Sequence, residues 1–234
     1  MKYLFATLGG VLLGMAAALL ALYFNPLNAP QAATTSNDGW TLEYDFPGDS
    51  AIALTHGGQL DLPSIPREIA ALWETGINSM ILNVLVLEDP AGTPQALATR
   101  VSVPSTDTDL LLRGVIVADH WLVTVPGQGT LYVEGHNNVW PLLKDTFIPV
   151  TYLQREWRGP ASYAVTAGPG PRGTAEVVGV SGTFEGMSGV AHETYNLEKF
   201  SSSRGIEAMR GALAIALDET VDADSGEAIV GLAE

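Results

Sequence analysis

The chain has 234 residues, with 26 acidic side chains against 11 basic ones, a formal net charge of −15 and no cysteine. The acidic balance argues against nucleic acid or an anionic lipid surface as a partner. The lack of cysteine excludes disulfides, thiolate metal sites, a cysteine nucleophile and acylation at a cysteine.

The first element is Tyr3–Phe24, an uncharged run of length sufficient for a membrane-spanning helix. Lys2 precedes it, and Asp38, Glu43, Asp45 and Asp49 are the first charges after it. This pattern predicts a single-pass signal anchor with a cytoplasmic N-terminus and a periplasmic or extracellular domain. A cleaved signal peptide is the competing reading, disfavoured by the length of the apolar run and by poor cleavage sites near Ala29. Ala6, Gly10, Gly14 and Ala18 recur every four residues, a spacing that suits close packing against another helix in a membrane.

Four segments are predicted: a transmembrane helix over 1–24, a flexible linker over 25–39, a β-barrel ectodomain over 40–217 and an acidic tail over 218–234. The linker is rich in Pro, Ala, Ser, Thr and Asn. Trp40–Phe46 alternates apolar and polar side chains and reads as a strand. Pro66–Glu74 reads as a short helix capped by Ser64 and stopped by Gly76.

From Met80 onward the pattern is β-rich. Strands are expected at 80–87, 96–103, 110–117, 121–125, 130–134, 147–157, 161–167, 175–180 and 190–197, separated by Gly- and Pro-rich turns. Residues 206–219 carry two signals. Ala and Leu favour helix, but Leu213, Ile215 and Leu217 alternate with alanines, which favours a closing strand. Many short strands with glycine-rich turns predict a mainly β, antiparallel barrel or sandwich.

Three stretches between about 127 and 197 carry a family resemblance. They are Gly127–Val133, the run from Trp157 to Gly168, and Glu176-Val-Val-Gly-Val-Ser-Gly-Thr-Phe-Glu-Gly-Met-Ser-Gly189. Together they resemble the dirigent and allene-oxide-cyclase-like barrel proteins. Gly179, Gly182, Phe184 and Gly189 are the positions that carry the last match. The resemblance implies an eight-stranded antiparallel barrel, often a homotrimer. It also implies an apolar cavity that steers the coupling or cyclisation of a small hydrophobic molecule without a cofactor. Residues 40–125 do not share the pattern.

No catalytic set stands out. The histidines His56, His120, His136 and His192 lack metal-ligand spacing, so no metal is expected, and Ser181 and Ser188 lack the nucleophile-elbow context. Tyr132, Glu134 and His136 share one strand face, and His192 shares a face with Thr194 and Asn196. These are candidate cavity or interface residues if their faces point inward, and a solvated face if they do not. Glu193 and Tyr195 share the opposite face of the His192 strand. Two functions therefore follow from the sequence. One is a non-catalytic accessory or assembly subunit of a larger membrane complex, bioenergetic or otherwise, held through its helix and ectodomain. The other is a cofactor-free binder, isomerase or coupling guide for a small hydrophobic ligand. The content of the barrel interior separates them.

Overall fold

The computed structural model describes residues 2–24, 39–46, 51–54, 70–72 and 79–218. Helix α1 spans Lys2–Tyr23. The strands are β1 (Trp40–Phe46), β2 (Ala51–Leu54), β3 (Ala70–Leu72), β4 (Met80–Glu88), β5 (Pro94–Pro104) and β6 (Ile116–Val125). They continue as β7 (Gly129–Asn138), β8 (Ala161–Ala164), β9 (Ala175–Gly182), β10 (Ser188–Ser201) and β11 (Gly205–Asp218).

Eight of these strands close into an antiparallel barrel in the order β1-β11-β10-β9-β7-β6-β5-β4, and β4 returns to β1. Closure runs through Glu43 opposite Glu88. β2 and β3 extend the sheet from β4, and β8 pairs with β10. The alternation that marks each strand has a physical cause: successive side chains point into and out of the barrel. On β4, Asn83, Leu85 and Leu87 are buried while Val84 and Val86 are exposed. On β11, Gly211, Leu213 and Ile215 face inward. The helix-favouring composition of this segment is overridden because it is hydrogen-bonded to β1 on one side and β10 on the other.

The wall has a seam. β9 lies between β7 and β10 as far as Ala175, which pairs with Ala191. Beyond it, β8 and the residues that follow occupy the same lane. The Val165 N–H bonds the Glu193 carbonyl, and the Asn138 N–H bonds the Val165 carbonyl.

The interior contains two apolar clusters. One is built around Leu42, Leu87, Trp121, Val123, Leu131, Val133, Val177, Leu213 and Ile215. The other comprises Leu142, Val150, Tyr163, Val165, Tyr195, Leu197, Phe200 and Met209.

Several expectations are corrected. Among the described residues, no helix is long and apolar enough to cross a membrane. The single-pass anchor is therefore set aside. The cytoplasmic-to-periplasmic orientation and the accessory role in a membrane complex, which rested on it, go with it. In the small-residue row, a Cβ added at Gly10 or Gly14 would meet nothing within 4 Å. Ala18 is exposed, and the side chain of Ala6 lies outside the described residues.

The expected helix at 66–74 gives way at Ala70–Leu72 to a strand that pairs in parallel with β2, and its remaining positions lie outside the described residues. Residues 110–115 are a turn preceding β6, closed by the Asp109–Gly114 bridge, rather than the start of a strand. The expected strand at 147–157 is largely helical. Trp140–Leu142 begins a helix, α2, that continues as a wide π-type turn over Leu143–Tyr152. Asn138 Oδ1 accepts from the Trp140 N–H at 3.0 Å and starts this segment. Pro149, which has no N–H to donate, lies inside it. The linker up to residue 38 and the tail from 219 lie outside the described residues.

Candidate functional site

Between the two apolar clusters lies a buried polar core. Arg100 on β5 donates from Nε to Asp119 Oδ1 at 3.0 Å and from Nη2 to Asp119 Oδ2 at 2.7 Å. Its Nη1 lies 3.3 Å from Glu193 Oε1 and donates to Tyr44 Oη at 3.1 Å. Nη2 also donates to Tyr195 Oη. Tyr44 in turn donates to Glu193 Oε1. Asn137 Nδ2 donates to both Asp119 and Glu193, and Ser102 donates to Asp119. The guanidinium lies over the Trp121 ring at 4.9 Å. The elements explain the convergence: β1, β5, β6, β7 and β10 each turn one or two polar side chains inward at this level.

Two carboxylates share one guanidinium out of water, and this sets the ionisation. Burial pushes the Glu193 carboxyl above its ordinary range, opposed by the Arg100 charge. Burial works against the Arg100 charge, but Asp119 and Glu193 outweigh it and hold its pKa well above the usual value. Burial first, and then Glu193, raise the Tyr44 phenol, and burial does the same for Tyr195. Both phenols are therefore neutral rather than bases: Tyr44 donates to Glu193, and Tyr195 accepts from Arg100. Glu193 also sits at the wall seam, where its own N–H is taken by the Thr166 hydroxyl at 2.7 Å.

Next to this core, at the end of the barrel filled by the second apolar cluster, is an open cleft of about 720 Å³. Its apolar wall is Pro149, Val150, Trp157 and Ala161, and its rim carries Asp145, Arg155, Glu156 and Arg158. Neither Arg155 nor Arg158 forms an ion pair with a described residue. Tyr163 and Thr146 also line the cleft, with their hydroxyls 2.8 Å apart. Tyr163 pairs across the strands with Tyr195, which places the cleft one residue from the polar core. The polar core itself does not line the cleft, so the space for a ligand and the densest charge are neighbours rather than one site.

The sequence-selected residues fall elsewhere. Tyr132, Glu134 and His136 lie on the outer face of β7, while Leu131, Val133, Gly135 and Asn137 face inward. Tyr132 bonds His120 Nδ1 at 2.8 Å on that outer surface. His192 is on the outer face of β10, where burial lowers its pKa. Gly179, Gly182 and Gly189 are positions of close backbone approach, where a Cβ would collide with the carbonyls of Phe184, Gln128 and Ala216. Phe184 is buried in the first apolar cluster. The residues that sequence reasoning missed are Tyr44, Arg100, Asn137, Thr146, Tyr163, Glu193 and Tyr195 as a group. The available signal was polar side chains on strand faces otherwise apolar. Among the described residues, no group of three or more His, Asp or Glu side chains is arranged to hold a metal ion.

No protein-family model matches the sequence, and no curated protein matches it. Among solved structures, the chain is similar to a nonspecific heme-binding cyclase that catalyses [4 + 2] cycloaddition during neoabyssomicin biosynthesis. The identity is 13% and the TM-score 0.43, over 79% of this chain and 65% of that one. It is also similar to the Diels–Alderase AbmU from Streptomyces koyangensis, at 13% identity and TM-score 0.41, over 77% of this chain and 63% of that one. In both cases the match spans less than two thirds of the other protein's length.

Proposed function

We propose that the protein binds a small hydrophobic molecule in the cleft at one end of its barrel and steers that molecule's isomerisation, cyclisation or coupling. The observation that carries this reading is the cleft itself. Its volume of about 720 Å³ falls in the range of small-molecule sites. Its apolar wall and charged rim would sequester an apolar body while orienting it. The interior is not uniformly filled with Leu, Val and Phe, as a purely structural barrel would be: a layer of convergent polar groups divides it. That layer fixes the relative positions of five strands beside the cleft.

The closed eight-stranded antiparallel barrel and the run from Glu176 to Gly189, which forms β9, a turn and the start of β10, also support kinship with dirigent and allene-oxide-cyclase-like proteins.

Titration with N-phenyl-1-naphthylamine, an apolar dye that brightens out of water, tests the proposal. Saturable one-to-one binding is expected, weakened about 10-fold or more in Trp157→Ala, the loss of one large aromatic contact. Absence of saturable binding to the folded protein would overturn it.

A further inference from the structure

We infer that the molecule held in the cleft carries a neutral oxygen acceptor (a ketone, enone or ether oxygen) that docks on the Thr146–Tyr163 hydroxyl pair. This rests on the reading of the cleft as a ligand site and names the chemistry that site selects.

Thr146 Oγ1 and Tyr163 Oη are 2.8 Å apart, and either can be the donor. A threonine and a tyrosine hydroxyl own two hydrogens between them, and one hydrogen bond uses one. Whichever donates, the other keeps an O–H hydrogen. No other side-chain hydrogen bond involves either hydroxyl among the described residues. Thr146 is fully buried and Tyr163 nearly so. Around them in the cleft, Pro149, Val150, Trp157 and Ala161 offer no side-chain oxygen acceptor, and the lining side chains that carry oxygens, Tyr23, Asp145 and Glu156, form no hydrogen bond with either hydroxyl. A buried donor without an acceptor is disfavoured, so the site gains when a ligand brings one. Burial keeps the Tyr163 phenol protonated, so the pair stays a donor at neutral pH.

The donor also specifies orientation. The oxygen seats at the floor, the apolar remainder lies along Val150 and Trp157, and the opposite end faces Arg155 and Arg158. A site with a committed donor discriminates against analogues that lack the acceptor, because they leave the hydroxyl unpaired.

The test uses two dyes on the full chain. Prodan carries a ketone whose emission shifts to the red when it accepts a hydrogen bond. N-phenyl-1-naphthylamine has no oxygen and reports the apolar cleft alone. Wild-type protein is expected to bind Prodan with hydrogen-bonded emission. The double variant Thr146→Val/Tyr163→Phe is expected to weaken Prodan about 3- to 10-fold, the worth of one neutral hydrogen bond, and to shift its bound emission to the blue. Affinity for N-phenyl-1-naphthylamine is expected to stay within about 2-fold, within the spread of conservative replacements. If the double variant leaves Prodan's affinity and colour unchanged while both dyes bind, the docking inference is wrong and the ligand site stands. If neither dye binds wild-type protein, the ligand site itself is wrong. Should the double variant fail to fold, the wild-type emission decides: bound Prodan with the colour of an aprotic environment overturns the inference.

Discussion

Arg100 holds Asp119 with two parallel hydrogen bonds, 3.0 Å and 2.7 Å long, inside a barrel where both side chains are out of water. The fork geometry matches a planar guanidinium to a planar carboxylate. Because Glu193 and two tyrosines complete the shell, the pair joins strands β1, β5, β6 and β10 through one group.

Removing one partner strands the other. Asp119→Ala or Arg100→Leu should each lower unfolding free energy by about 3–5 kcal/mol, the range for an uncompensated buried charge. Arg100→Leu combined with Asp119→Ala should cost less than the sum of the two single replacements. Urea denaturation of the four proteins checks this. Single-variant losses under about 1 kcal/mol would mean that water reaches the pair.

Gly211 and Tyr44 depend on each other. The two residues face each other across β1 and β11, and a Cβ at Gly211 would lie 2.0 Å from Cζ, the hydroxyl-bearing carbon of Tyr44. Gly211→Ala should therefore push the ring away from Glu193 and destabilise the fold by about 1–3 kcal/mol, as overpacking does. In a Tyr44→Leu background the same change should cost much less. Equal costs in the two backgrounds would separate the residues energetically.

Glu193 makes stability fall with rising pH. Its folded pKa is raised above the ordinary value of 4.5 by burial, so the folded state holds the proton more tightly than the unfolded chain. The contribution is fully present below the unfolded pKa and is lost as pH rises through the folded one. Glu193→Gln should remove this downward slope above about pH 4.5, the start of the window set by the unfolded carboxyl. Chemical denaturation of both proteins between pH 4 and 8, a range bracketing that window, reads the difference. An unchanged slope would assign it to another group.

The outer-face residues should be dispensable for ligand binding. Tyr132→Phe, His136→Ala and His192→Ala alter side chains that point away from the interior. Each should leave dye affinity within about 2-fold of wild type and stability within about 1 kcal/mol, as surface changes do. A larger loss of binding in any of them would place the ligand outside the cleft.

Much of the barrel was legible because strand periodicity survives in the sequence: the alternation at Trp40–Phe46 and at Leu213–Leu217 marks β1 and β11 as they stand. The segment at 147–157 misled because its apolar and β-branched residues mimic a strand. The Asn138 side chain starts the helical segment just upstream, and Leu142 and Val150 pack it onto distant residues of the second apolar cluster, which the segment's own pattern does not show. The site was harder to read. Tyr132, Glu134 and His136 alternate as clearly as Glu193 and Tyr195 do, and both sets look like a functional strand face.

The sequence by itself determined the acidic, cysteine-free character of the protein, most of its strands and the glycine positions between 179 and 189, because charge, period-two alternation and small side chains are local properties. Only the tertiary structure decided which strand faces point inward, since that depends on how β1 meets β4 and β11 to close the barrel. Closure turned Asn137, Glu193 and Tyr195 inward and Tyr132, His136 and His192 outward. It brought Arg100 to Asp119 across adjacent strands and to Glu193 across the barrel. It also set Thr146 against Tyr163, where a pair of hydroxyls distant in sequence became the floor of a cleft.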